Sequence, residues 1–172
     1  PNIINFKDYL ENHSNIIKEE YINVKNKLDN NVLFEWENQF LTEEDKTWKE
    51  IQIGIGHKFR KYFPNTVKIL NDIHTKFGLH LQKNHSSVKF SVLSPKMHII
   101  PHCGNLNTRV RIHLGIIIPK GCYIRCDNEI NTWEEGKIIV LDDSYEHEVW
   151  HWGDTERVIL IIDIWNPNIS LE

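Results

Sequence analysis

The sequence predicts a mainly β protein, an antiparallel sandwich or barrel with a helical N-terminal region packed on its outside. Three observations lead there. From about residue 79 the chain breaks into seven short β-rich runs separated by Pro, Gly, Asn and Asp, the texture of an all-β sandwich or barrel. Ahead of them, apolar residues recur with a helical period. Within them, residues 109–116 alternate between a polar face carrying Arg109, Arg111 and His113 and an apolar one.

Taking the elements in order, Leu10, Ile17, Tyr21, Val24 and Leu28 fall at steps of seven, four, three and four. They therefore share one face of a helix running from Phe6 to Leu28, and such a face must lie on something. A second helix is expected over about 65–77, where Pro64, Asn65 and Thr66 offer start signals and Gly78 a stop. No periodicity assigns the residues between the two. The β runs are 88–93, 97–102, 109–117, 122–126, 137–141, 147–150 and 157–164. With 172 residues, the chain can bury one substantial core and is short for two. A single domain over 1–172 is expected, mostly helical over 1–78 and β over 79–172.

Two of the strands carry the strongest pattern. Arg109, Arg111, His113 and Gly115 share one face of the third run, and Val110, Ile112, Leu114 and Ile116 the other. A solvent-facing row would favour Lys, Glu, Ser and Thr. An Arg-x-Arg-x-His row is costly in a concave interior unless anions pair with it. The last run repeats the duality more weakly, with Arg157, Ile159, Ile161 and Asp163 opposite Val158, Leu160, Ile162 and Ile164. A barrel with a polar mouth and helices on its outside accommodates both.

Composition excludes several classes. Forty per cent hydrophobic residues and six Trp supply enough apolar surface to offset chain ordering, so disorder is not expected. The net charge of −4 comes from 24 acidic and 20 basic residues without a basic block, which argues against nucleic acid as a partner. The longest apolar runs, 116–119 and 158–162, are too short to cross a bilayer, and residues 1–18 lack a signal-peptide pattern. A cytoplasmic protein without membrane attachment is expected, as a monomer or weak homodimer. Cys103, Cys122 and Cys126 form an odd set with no second Cys/His pair at zinc-finger spacing, so free thiols are expected.

Candidate chemistry starts from His102 and His147, each at the edge of an expected strand. Neutral imidazoles suit iron(II), and two strands facing across a barrel would set both rings on one side of a metal. Arg157 follows ten residues after His147, so a single hairpin can bring a metal ligand and a cationic anchor into the same cavity. A 2-oxo diacid needs both, since its 2-oxo acid end chelates iron and its distal carboxylate favours a planar guanidinium. This His-x-Gly, distal His and downstream Arg arrangement resembles the double-stranded β-helix oxygenases, whose core is a jelly roll of cupin type.

The resemblance narrows along His102-Cys-Gly-Asn-Leu-Asn-Thr-Arg109-Val-Arg111-Ile-His113-Leu-Gly115, then Pro119, Gly121-Cys122, Ile124-Arg125, Trp133-Glu-Glu-Gly136-Lys137, Asp142-Asp143-Ser144-Tyr145-Glu146-His147-Glu148, Arg157 and Asp163-Ile-Trp165-Asn-Pro167. In order and content these motifs resemble the aspartyl/asparaginyl β-hydroxylase family, strongly over about 88–167, with a looser echo in Phe63-Pro64-Asn65-Thr66. The resemblance implies a 2-oxoglutarate- and Fe(II)-dependent dioxygenase that consumes O₂ and hydroxylates an unactivated carbon, the β-carbon of Asp or Asn in a peptide. It implies His102 and His147 as iron ligands, Arg111, His113 and Arg157 as the 2-oxoglutarate site, and Ser91 as a further contact to it. Where the wider superfamily has a carboxylate, this chain has Gly104, so a carboxylate outside the ligand shell must orient the water in the vacant place. Asp143 is the candidate for that role, with Asp142 second.

Two other readings stand beside this one. A vacant iron position can accept halide and make a halogenase, and the fold can persist as a non-catalytic cupin-type binding module. The substrate is expected to be a peptide, or a carrier-bound or free amino acid. Lys96, Arg109, Arg125 and Lys137 are the basic residues that could meet an acidic side chain. His98, placed four before His102 on the same strand face, is read as a solvated strand histidine, His151 as exposed, and Trp133 and Trp165 as packing residues.

Overall fold

The computed structural model describes residues 3–29, 37–39 and 48–168, and in it the expected N-terminal helix forms in two pieces, α1 (Ile3–Asn12) and α2 (Ser14–Asp29). Asn12, His13 and Ser14 are weak helix formers whose side chains compete for the backbone, and the His13 ring bonds through Nδ1 to the Tyr9 carbonyl at 2.7 Å. The apolar stripe survives the break: Phe6, Leu10, Ile17, Tyr21 and Val24 are all buried. The side chain of Leu28 lies outside the described residues.

After β1 (Glu37–Gln39), β2 (Trp48–Gln52) and a 3-10 turn at Lys58–Tyr62 comes α3 (Pro64–Phe77), which starts on proline and closes on Gly78 at φ 66°. Its positive end is capped from another helix. The buried carboxylate of Glu20 in α2 accepts hydrogen bonds from Asn65 N at 2.9 Å, Thr66 N at 2.8 Å and Thr66 Oγ1 at 2.6 Å. Those backbone donors have no partner inside their own helix, and the carboxylate also complements its dipole. Among the described residues, no helix is long and apolar enough to cross a membrane.

The remaining strands are β3 (Val88–Leu93), β4 (Met97–His102), β5 (Arg109–Ile117), β6 (Cys122–Cys126), β7 (Glu129–Thr132), β8 (Ile138–Leu141), β9 (His147–His151) and β10 (Arg157–Trp165). All seven expected runs are present, within a residue at either end. The strand that sequence reasoning missed here, β7, is exposed along its whole length and shows no alternation. Its signal lay in the turn instead, where Asp127-Asn128 joins β6 to β7 with Asp127 at φ 51°, a residue pair suited to a two-residue hairpin.

Two antiparallel sheets result, one in the order β1-β2-β3-β10-β5-β8 and the other β4-β9-β6-β7. From β3 onward the chain passes back and forth between them, the wrapping of a jelly roll, so the expected double-stranded β-helix core is present. The alternation in β5 and β10 decides how the layers stack. Ile112, Leu114, Ile116, Val158, Leu160 and Ile162 join the helices in one core. A second core lies between the sheets and holds Ile159, Ile161, Ile99, Ile124 and Val149. The helices cover the outer face of the large sheet, leaving the cationic face of β5 to look inward, where the site lies.

Candidate active site

His102 ends β4 and His147 begins β9, and the two are partners in the register of those strands. Their rings lie 4.2 Å apart between centroids at an angle of 57°. Each ring is oriented by the backbone carbonyl two residues before it. His102 Nδ1 bonds to the Ile100 carbonyl at 2.8 Å and His147 Nδ1 to the Tyr145 carbonyl at 2.9 Å. A carbonyl only accepts, so in the neutral rings Nδ1 carries the proton and each Nε2 keeps its lone pair, the tautomer a metal ligand needs. Burial holds the His147 imidazole below 6.5 against the raising effect of the Tyr145 carbonyl, and the His102 ring adds to the lowering.

The convergence depends on a bulge that the sequence hides. Between Ile99 and His102, β4 has one residue more than β9 has between Val149 and His147, and an extra residue reverses the facing of every later side chain on its strand. His102 thereby turns inward, whereas His98 lies on the outer face. The expectation that His98 shares a face with His102 fails for this reason. Nor is His98 simply solvated, since it is half-buried, bonds to Glu148 Oε1 at 2.6 Å and stacks on Trp150 at 3° between planes. His151, expected to be exposed, is fully buried. It keeps the inward parity of His147 and Val149, bonds through Nε2 to the Thr155 carbonyl, and meets Cys122 Sγ with Nδ1.

A second cluster faces the two rings across the same cavity, where side chains of both sheets, among them Trp48, Ser91, His113 and Arg157, enclose about 40 Å³. That is room for a few waters, so a larger ligand enters only by displacing lining side chains. Arg157 begins β10, is 2% exposed, and has no carboxylate partner among the described residues. Its Nη2 donates to Ser91 Oγ at 3.0 Å, its Cζ lies 5.0 Å from the centre of the Trp133 ring, and its Nε has no partner among the described residues. Burial lowers the guanidinium from its ordinary value to about 10. Ser91 Oγ also accepts from Trp48 Nε1 at 2.8 Å, so both of its lone pairs are used and its own proton is left to donate.

His113 completes the set. Its Nδ1 accepts from Trp133 Nε1 at 3.3 Å, which puts the proton of the neutral ring on Nε2, and that atom is buried with no partner among the described residues. Burial, then the nearby charges of Arg111 and Arg157, push this imidazole well below 6.5. Guanidinium, hydroxyl and imidazole thus turn only donors toward the cavity. Such a set is complementary to an anion with several acceptor atoms, a carboxylate above all.

Arg111 also lines the cavity, but its guanidinium is engaged. Its Nε and Nη2 grip Asp163 at 2.7 and 2.8 Å, and its Nη1 lies 3.0 Å from Asp143 Oδ2. Arg109 holds Asp143 from the other side, at 2.9 Å through Nε and 2.5 Å through Nη2. Two guanidiniums and two carboxylates balance. Burial alone would raise the Asp143 carboxyl, but Arg109 and Arg111 outweigh it and hold the group below 3.8. Gly104 has a reason in the same place, for a Cβ added there would fall on Asp143 Oδ2. The Asp143 carboxylate fills the space that a side chain at 104 would need. Asp142 instead accepts from Ser144 at its turn.

The other basic candidates lie elsewhere. Lys96 meets Asp154, Arg125 meets Glu146 and Glu148, and Lys137 meets Glu11. Trp133 packs as expected and is buried at 2% exposure, with the added role of fixing the His113 tautomer. Sequence reasoning missed Trp48, in the stretch without periodicity, and Gln82. Gln82 lies opposite Asp163 with both side-chain amide atoms buried and unpartnered among the described residues.

Comparison with known proteins identifies the family and the fold. The sequence model of the family described as Aspartyl/Asparaginyl beta-hydroxylase matches residues 11–167. The mouse protein named Aspartyl/asparaginyl beta-hydroxylase is 38% identical over 166 residues, covering 94% of this chain and 22% of its own length. A Rhizobium tropici protein named Ornithine lipid ester-linked acyl 2-hydroxylase is 40% identical over 130 residues, 72% of this chain and 43% of that one. The chain therefore spans about a fifth of the mouse relative and under half of the bacterial one. In fold it resembles a crystal structure of a Pseudomonas putida prolyl-4-hydroxylase, with a TM-score of 0.56 at 14% identity over 89% of this chain and 86% of that one.

Proposed function

Because the chain belongs to the aspartyl/asparaginyl β-hydroxylase family, we propose that it is a 2-oxoglutarate- and Fe(II)-dependent dioxygenase that hydroxylates the β-carbon of Asp or Asn in a peptide. One observation carries the reading: a buried guanidinium without a carboxylate partner among the described residues, beside two imidazoles whose Nε2 lone pairs are free. The residues fit both groups. His102 and His147 would hold the iron, and Arg157, Ser91 and His113 would hold the distal carboxylate of 2-oxoglutarate with a guanidinium, a hydroxyl and an imidazole N–H. When bound, iron(II) would activate O₂ and 2-oxoglutarate, oxidised to succinate and CO₂, would supply two of the four electrons for its reduction, the substrate C–H bond supplying the other two.

The chain's own residues do the rest. The Ile100 and Tyr145 carbonyls keep both imidazoles in the ligating tautomer. Trp133 keeps the His113 proton on Nε2, so that ring donates whether or not a ligand is present. Asp143, clamped between Arg109 and Arg111, places negative charge beside His147 and would offset that of a bound metal ion. The apolar wall of Ile99, Ile124, Val149, Ile159 and Ile161 excludes water from the reacting centre.

The test is succinate formation from 2-oxoglutarate with iron(II), ascorbate and air, followed by NMR, with peptides containing Asp or Asn. Iron(II) binding is measured separately by anaerobic calorimetry. The His147→Ala variant is expected to lose both iron binding and succinate formation. A wild-type protein that takes up no iron(II) would favour the non-catalytic binding module instead.

A further inference from the structure

Beside the imidazole pair lies a groove of about 340 Å³ that takes no part in holding the metal or the diacid. It opens between the β6–β7 hairpin and β8, with Ile124, Ile139 and Leu141 on its apolar side and Asp127, Glu129 and Asp142 on its polar side. Among the described residues, no Lys, Arg or His lines it. Asp127 accepts from the Asn128 side chain and Asp142 from Ser144, both neutral donors. Among the described residues no cation pairs with any of the three acids. Arg125, the nearest basic residue in sequence, donates through Nη1 to the Asp127 backbone carbonyl at 2.9 Å, but its side-chain charge is shared between Glu146 and Glu148.

The groove adjoins the metal pair. Ile124 lines both the groove and the cavity of His102 and His147. Cys126, also in its wall, is the register partner of His147 across β6 and β9. A peptide whose reacting carbon sits before the two imidazoles therefore has a neighbouring side chain within reach of this groove.

We propose that the groove binds the basic side chain, lysine or arginine, of a peptide substrate, close in sequence to the residue that is oxidised. The inference rests on the proposed dioxygenase function. Charge complementarity selects the occupant: three carboxylates, none in a salt bridge among the described residues, favour a cation, and an apolar floor suits the methylene stem that lysine and arginine carry behind the charge. A carboxylate-bearing neighbour would meet repulsion there, and a purely apolar one would leave the acids without a partner.

The test uses short alanine-based peptides with a central asparagine and lysine, norleucine or glutamate at each flanking position in turn. Binding to the full chain is followed by calorimetry without iron, and succinate formation by NMR with it. At the best position lysine is expected to bind about tenfold more tightly than norleucine, as three weak charge contacts would give. The advantage should shrink with added salt and disappear in Glu129→Lys, whose substitution lies on the exposed strand β7; circular dichroism checks that this variant is folded, and Asp127→Asn provides a milder second case. Equal binding of lysine, norleucine and glutamate peptides, or a preference for glutamate, overturns the proposal even if succinate forms. Loss of iron uptake and succinate formation with every peptide overturns the enzymatic reading instead, while the binding titration still judges the groove.

Discussion

Replacing Arg157 with methionine should stabilise the ligand-free protein while destroying its affinity for 2-oxoglutarate. The guanidinium is 2% exposed and lowered by burial to about 10, more than two pH units below an ordinary guanidinium. At about 1.4 kcal/mol per unit, keeping it charged in that place costs about 3 kcal/mol. At neutral pH it is charged in the folded and unfolded chain alike, so the folded state bears the whole cost. Methionine fills a similar volume without the charge. Against the relief stand the hydrogen bond to Ser91 and the contact with the Trp133 ring, each worth about 1 kcal/mol. The balance is a gain of about 1 kcal/mol, or about 3 °C in melting temperature for a chain of this size. With 2-oxoglutarate and iron(II) supplied anaerobically at a hundred times its Kd, the wild type should gain about 2.7 kcal/mol and the variant almost nothing. Scanning calorimetry reads both effects. A variant that melts more than about 3 °C below the wild type, or that keeps the ligand-induced rise, refutes the argument, because the guanidinium would then have a structural partner or the diacid another anchor.

Two further predictions concern the inner face. Gly104→Asp should not restore a third iron ligand, since the space is filled by the Asp143 carboxylate. It should instead cost about 3 kcal/mol of stability through overlap and like charge, and an equally stable variant with tighter iron(II) binding would disprove this. The buried neutral histidines make the fold sensitive to acid. His113 and His147 titrate below 6.5 in the folded chain, so their contribution is complete above about pH 6.5 and is lost as the unfolded chain takes up protons below it; Asp143, held below 3.8, adds a further loss only in stronger acid. The melting temperature should therefore fall between about pH 7 and pH 5, and fall less steeply in His113→Gln. Parallel slopes for the two proteins would show that His113 is not buried neutral.

The sequence by itself determined a great deal. Seven strands, a helix with its stop glycine, and the inward facing of Arg109, Arg111 and His113 were all legible, because side-chain periodicity reports directly on which face is buried. Motif order gave the family and singled out His102, His147 and Arg157, which the fold brings to one cavity. Tertiary structure decided the rest. A single extra residue in β4 sends His102 inward and His98 outward, and no alternation rule reveals a bulge before the partner strand is known. The pairing of Arg111 with Asp163 joins residues 52 apart in sequence, and the need for glycine at 104 is explained only by a carboxylate arriving from the β8–β9 turn. His151 proved buried and Trp48 proved to line the cavity for the same reason: burial and pairing are properties of what lies across the sheet, and sequence records only what lies along the strand.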